Sequence, residues 1–233
     1  MNLATEPKKP IIIPQLAAAA KFGGFAKETG QDVRQPDVKK DTKLEAIIQA
    51  WKACKFDWSS PITIDEHYEI WAGLTKRINL SSCDIERFCI ALAQFQEEKD
   101  FRNKAGFFLS GLANHCQDHD VIIRTSHLFK RVNFLGYKNS RNITVEGDVG
   151  DGIGILMHDG MLVVNGDALQ AAGDGLIGGK LVINGFAGHG VGVRMRNGEI
   201  HLESDYENLQ FIPEGGKIFH KGQLIWPTGG GSE

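Results

Sequence analysis

The chain has 233 residues, a formal net charge of -3, 42% hydrophobic and 24% charged residues. That length builds one large domain or two modest ones, each with its own core, and the near-neutral balance excludes a general nucleic-acid binder, which needs a basic surface. No apolar run approaches the roughly 18 residues of a membrane-spanning helix, so no membrane segment is expected.

Residues 1–40 read as a flexible arm. Pro10-Ile11-Ile12-Ile13-Pro14 behind Lys8 and Lys9 resembles a secretory leader only loosely. Pro14 and Gln15 break its apolar run, and Glu6 sits where such a leader is basic. The following stretch is charge-rich, with Gly23-Gly24, Gly30 and Pro36, and reads as solvated.

Residues 41–119 read as a helical domain. Leu44, Ile47, Ile48 and Trp51 mark one helical stripe. Thr63 or Asp65 can cap a second helix through Tyr68, Trp71, Leu74 and Ile78. Ser82, followed by Asp84 and Glu86, reads as the N-cap of a third, with Phe88, Leu92 and Phe95 on its apolar face. Asn103 can open a fourth carrying Phe107, Phe108 and Leu112. These aromatics read as the core of a small bundle. The four cysteines, Cys54, Cys83, Cys89 and Cys116, form no CxxC pair. They read as buried free thiols, which implies no metal and favours a cytoplasmic location.

At about residue 120 the periodicity drops to two and glycine becomes dense. Of the 28 glycines, 22 lie from Gly136 onward. Residues 120–227 then repeat. Asn142–Gly160, Met161–Gly179 and Lys180–Gly198 are 19-residue units, and Glu199–Gly216 is an 18-residue one. A degenerate earlier turn runs from Val121 to Arg141, and Lys217 begins a further copy. A fixed period is expected when a chain coils once per unit and each strand stacks on its copy. Glycine at the bends avoids collisions between coils about 4.8 Å apart. The fold class is therefore α+β: a small helical bundle, then a short right-handed parallel β-helix of about five coils. The helices are placed to cap the first coil, the weakened fourth unit and Pro227 are placed to close the other end, and 228–233 reads as a flexible tail.

Alternation puts Ile143/Val145, Leu162/Val164, Leu181/Ile183 and Ile200/Leu202 inside. The outer face carries Thr144, Val163, Val182, His201 and Phe219. This is more apolar than a wet face should be. Val163, Val182, His201 and Phe219 are thus candidate partner-facing residues, covered by the helical domain, by a protein partner or by a second copy in a homo-oligomer.

The units GDVGDGIGILMHDG and its two successors resemble the glycine-repeat (GXGXG) β-helix domain at the C-terminal end of the glutamate synthase large subunit. The same fold occurs in one of the subunits of formylmethanofuran dehydrogenase. The resemblance covers residues 121–226, and the helical part matches neither family. In those families the domain is largely a scaffold for neighbouring catalytic parts. The resemblance therefore implies a fold and an assembly role. No amidotransferase cysteine, flavin barrel or iron–sulfur spacing accompanies it here, so no cofactor is implied.

Candidate chemistry is sparse, and no catalytic residue is identified. Asp148, Asp167 and Asp205 share one column of the repeat, a possible carboxylate ladder for a cation or for acid/base work, with Phe186 interrupting it. Aspartate after glycine is also a common turn residue. His158, His189, His201 and His220 occupy different columns and do not obviously converge. Gly150-x-Gly152-x-Gly154 and Gly188-x-Gly190-x-Gly192 imitate a nucleotide loop, but the following Ile155-Leu156-Met157 and Val193-Arg194-Met195 read as strand where that fingerprint needs a helix. Arg124, Lys130, Arg131, Lys138 and Arg141 form the one local basic cluster. The reading is a non-catalytic scaffold within a larger assembly. The alternatives are a hydrolase using the carboxylates, or an accessory subunit of an oxidoreductase or amidotransferase complex.

Overall fold

The computed structural model describes residues 41–55, 63–209 and 213–227. The expected N-terminal arm, 1–40, and C-terminal tail, 228–233, lie outside the described residues. Among the described residues four α-helices, α1 (Thr42–Ala53), α2 (Ile64–Thr75), α3 (Ser82–Ala91) and α4 (Phe101–Asn114), precede seven strands. These are β1 (Asp120–Arg124), β2 (Asn142–Glu146), β3 (Met161–Asn165), β4 (Lys180–Ile183), β5 (Glu199–Leu202), β6 (Lys217–His220) and β7 (Gln223–Trp226). No helix among the described residues is long and apolar enough to cross a membrane.

Local chemistry sets the helix starts. Asp41 caps α1 by accepting from the Leu44 amide, and Thr63 and Glu66 close a reciprocal box on α2. The cap of α3 is Ser81, not Ser82, because Ser81 lies three residues before Asp84 and the box closes there. The Ser82 hydroxyl instead accepts from the Ile122 amide at 3.3 Å, tying α3 to β1. Helix α4 starts at Phe101, two residues before the expected Asn103, because Phe101 belongs to the aromatic core. Trp51 centres that core, with Phe88, Phe95, Phe101 and Phe108 rings between 5.4 and 6.1 Å away. Cys54, Cys89 and Cys116 are buried free thiols, and burial pushes the first two up to about 12. Cys83 is exposed, contrary to the expected burial, because it lies on the solvent side of the first turn of α3.

The strands form a β-solenoid of about five turns, with sheet order β1-β2-β3-β4-β5-β6-β7. Strands β1 to β6 are parallel and in register, so that Val121, Ile143, Leu162, Leu181, Ile200 and Ile218 stack directly over one another. All six are buried, and with Ile123, Val145, Val164, Ile183 and Leu202 they fill the interior. The first coil is longer than the rest, Asn142 following Asp120 by 22 residues, yet it keeps the register. Strand β7 folds back antiparallel on β6 and ends the parallel stack.

The segments expected as a second strand in each coil are instead turns with alternating backbone handedness. Positive φ occurs at every other residue: Phe134, Gly136, Lys138; Gly152, Gly154, Leu156; Ala171, Gly173, Gly175; Gly190, Gly192, Arg194. This alternation aims successive amides at opposite neighbours. Gly152 donates to Gln170 O on the following coil, Gly154 to Leu135 O on the preceding one, and Leu156 forward again to Asp174 O. The middle position is glycine in all four coils because its missing side chain would point inward. A Cβ there would stand 2.5 Å from Leu162 at Gly136, 2.6 Å from Ile200 at Gly173 and 2.9 Å from Ile218 at Gly192. The flanking positions point away from that contact and tolerate Phe134, Lys138, Leu156 and Arg194, at a backbone cost of about 1 kcal/mol each.

The helices cap the first coil and share its core. Helix α3 lies on β1. Helix α4 reaches the bend through Gly106, where a Cβ would overlap Asn133 O at 1.6 Å, and through Ser110 Oγ, which accepts from the Gly136 and Tyr137 amides. The Phe107 ring stacks on Phe134 at 5.0 Å.

Gly173→Ala should destabilise the chain by about 2–4 kcal/mol, through overpacking against Ile200 plus left-handed strain. Gly73→Ala, in α2 with open space around its Cα, should stabilise it by up to about 1 kcal/mol. Denaturant titration of both variants measures the difference.

Candidate functional site

The outer face of the sheet is built by the same alternation that fills the core. Thr144, Val163, Val182, His201 and Phe219 are paired rung to rung in one column, each half-buried between inward-facing neighbours. The His201 ring stacks on Phe219 at 4.5 Å and 20°, and its Nε2 lies 3.0 Å from Glu199 Oε2. That hydrogen bond holds the Glu199 carboxyl below the usual carboxylate range. Among the described residues no helix packs extensively on β2 to β6; α3 meets the sheet where it packs on β1, at the end of the stack. The expected cover by the helical domain is therefore not seen among the described residues.

Asp148 and Asp167 do stack, but both carboxylates are engaged. Asp148 Oδ1 accepts from the Asp167 amide at 2.9 Å, and Asp167 Oδ1 accepts from the Phe186 amide at 2.8 Å. Arg131 holds the other oxygen of Asp148 at 2.7 Å and approaches Asp167 at 3.9 Å. Asp205 stands apart beyond Phe186, paired with Lys221 at 2.8 Å, which holds its carboxyl low. The column is thus a run of rung-to-rung hydrogen bonds, with a hollow of about 340 Å³ beside it lined by Thr125, Ser126, Phe129 and Arg131. Asn184 to Asn165 and Asn165 to Glu146 continue the same device on the next column.

The remaining histidines lie apart, and the buried Nε2 of His220 has no hydrogen-bond partner among the described residues. His158 is exposed, His189 lies 3.6 Å from Glu207, and His220 sits on an inner strand position against Tyr206. Among the described residues no three His, Cys, Asp or Glu side chains come together as a metal ion would require. The amides of Gly150, Gly152, Gly154, Gly188, Gly190 and Gly192 all donate to carbonyls of adjacent coils. A phosphate would have to break that ladder. Each member of the basic cluster also has an intramolecular partner: Arg124 with Glu86, Lys130 with Glu97, Arg131 with Asp148, Lys138 with Asp65, and Arg141 with Asn114 O.

Two polar clusters escaped the sequence reading. At the seam between α2 and the first coil, Tyr137 donates a short hydrogen bond to Asp65, and Lys138 reaches Asp65 and Glu69. Burial, and then the Asp65 carboxylate, push the Tyr137 phenol up; the same bond, with Lys138, holds Asp65 low. In the helical core, buried Lys104 pairs with Glu98 at 2.8 Å and lies 4.0 Å over Trp51. Both fasten one element to another; Glu98 of the second also lines a hollow of about 260 Å³ with Asp100, Arg102 and Asn133.

Comparison with protein-family models, with curated proteins and with solved structures finds no match to this chain.

The ladder reading has a measurable consequence. Asp148→Ala should cost about 1–2 kcal/mol, because it strips an acceptor from the Asp167 amide and a partner from Arg131. Asp148→Asn, which keeps the acceptor oxygen, should cost about half as much. Paired denaturation curves of the two variants check this. A catalytic or cation-binding carboxylate would show the reverse, with Asn as damaging to function as Ala and stability untouched.

Proposed function

We propose that this chain is a non-catalytic docking scaffold whose working surface is the outer sheet face of the solenoid. One observation carries the reading: an in-register column containing Val163, Val182, His201 and Phe219 runs along the sheet, and no described helix packs extensively across it. The rest of the polar inventory supports it. Carboxylates, glycine amides and basic side chains are spent on holding coil to coil, or helix to coil, and leave no convergent reactive set among the described residues. A rigid stack of strands suits a template, since it offers side chains at fixed spacing without the cost of ordering a loop.

The likeness of the repeats to the glycine-repeat domains of glutamate synthase and formylmethanofuran dehydrogenase points the same way, because there the domain is an assembly element. By that likeness the partner is a protein, and the free cysteines favour a cytoplasmic location.

Site-specific photocrosslinking tests the reading. A benzophenone side chain at Val163 or Val182, in cells expressing the full chain, should give a discrete crosslinked adduct. The same group at Glu45, on the exposed face of α1, should give none. Equal, featureless labelling at all three positions would contradict it.

A further inference from the structure

We propose that the occupant of the outer face is a second copy of this chain, stacked sheet to sheet about a two-fold axis parallel to the strands and passing between the two Val182 side chains. The inference rests on the docking reading above and names its partner. A closed dimer needs one patch that complements itself, and the three outward columns of β2 to β6 can be checked for that property.

Rotation about an axis parallel to the strands reverses the order of the rungs and keeps each column facing itself. In the central column Thr144 then faces Phe219, Val163 faces His201, and Val182 faces Val182. In the column at the end of each strand, Glu146 faces Lys221, Asn165 faces Glu203 and Asn184 faces itself; Asn184, Glu203 and Lys221 each follow their strand by one residue, Lys221 in a left-handed turn, and their amides continue the rung-to-rung ladder. In the column beginning each strand, Asn142 faces Lys217 and Met161 faces Glu199. The apolar residues meet in the middle, and the Glu146–Lys221 opposition of charge occurs twice, once on each side of the axis. Lys180 meets its own copy, but it lies one rung from Glu199 of its own chain, with which it is in register. Glu199 of the other copy lies diagonally opposite on its other side.

The alternative face-to-face two-fold, parallel to the coil axis, fails the same test. It sets Glu199 against Glu203 and Lys217 against Lys221, each twice, and like charges directly opposed are destabilising. With one opposed Lys180 pair against four such oppositions, the charge pattern favours the axis parallel to the strands over the axis parallel to the coil. Glu146 and Lys221 presently hold Asn165 and Asp205, at exposed positions where exchanging partners is cheap. Five rungs about 4.8 Å apart and strands of four or five residues give a face of about 24 by 16 Å per copy. That is small, so the affinity expected is micromolar rather than nanomolar.

Sedimentation of the full purified chain from about 1 to about 200 μM tests the proposal. A reversible monomer–dimer equilibrium is expected in that range. Val182→Lys, which replaces the apolar centre of the axis with a second pair of opposed ammonium groups beside the Lys180 pair, should leave only monomer with an unchanged thermal melt. Glu146→Lys should weaken the dimer about tenfold, and adding Lys221→Glu should restore it, which reads the reversed rung order independently of Val182. A monomer at about 200 μM, or a dimer indifferent to these charges, overturns the proposal. If the native chain is monomeric while Val163 still crosslinks to a different protein, the second-copy assignment falls and the docking reading stands. If no discrete adduct forms either, both fall.

Discussion

The structure depends on glycine wherever one coil meets the backbone of the next. A Cβ at Gly166 or Gly185 would stand 2.5 or 2.4 Å from the backbone of the preceding coil, and one at Gly179 or Gly198 2.7 Å from it. At the bends Gly136, Gly154, Gly173 and Gly192 occupy a second column that faces the interior, where a Cβ at Gly136, Gly173 or Gly192 would come within 3 Å of an aliphatic side chain of the strand wall. Without side chains at these points the coils lie at hydrogen-bonding distance, which fixes the register in which the strands pair and the positions at which side-chain ladders can form. Alternating left-handed residues on either side let each bend bond to the coil above and the coil below, so a segment without regular strand pairing still leaves its amides satisfied. The helices complete the stack at one end. Ser110 and Gly106 of α4 bond to and receive the first bend, and α3 covers the first strand, which would otherwise present an unpaired edge.

This economy has a functional side. A coil that spends its aspartates, asparagines and glycine amides on its neighbours retains few polar groups to aim at a substrate. What it offers instead is repetition. One outward position per rung yields a column of side chains at fixed spacing, and here that column is largely apolar. Its flanks carry both signs of charge, with Glu146 and Lys221 at opposite ends of one of them. The proposed docking surface rests on this repetition and on the apolar residues at its centre.

Much of the fold was legible in the chain itself because stacking makes equivalent residues recur. The 19-residue spacing of Ile143, Leu162 and Leu181 names the interior column, and the switch from helical spacing to alternation locates the change of architecture near Asp120. The glycines at 154, 173 and 192 announce the bend, but its backbone conformation was hidden. Phe134, Lys138, Leu156 and Arg194 adopt left-handed geometry with side chains that ordinarily avoid it, so nothing in their identity signals a turn. The seam was equally opaque: Asp65 and Tyr137 are 72 residues apart, and no period links them. The outer column was legible as a face. Where the described helices meet the sheet depends on how α3 and α4 dock on the first coil, through Ser82, Gly106 and Ser110, and these contacts leave no pattern in the sequence.

Removing one whole coil tests the central claim most directly. If each coil is held only by its neighbours in a common register, deleting Met161–Gly179 brings Leu181 over Ile143 and Gly192 beside Gly154, and every inward column closes again. The shortened chain should express as a folded protein with strand signal reduced by about one rung and a single cooperative melt at a modestly lower temperature. Deleting only the ten residues Met161–Gln170, which shifts the columns out of register, should abolish the melt. A collapsed product from the whole-coil deletion, or equal tolerance of the ten-residue one, would contradict the account.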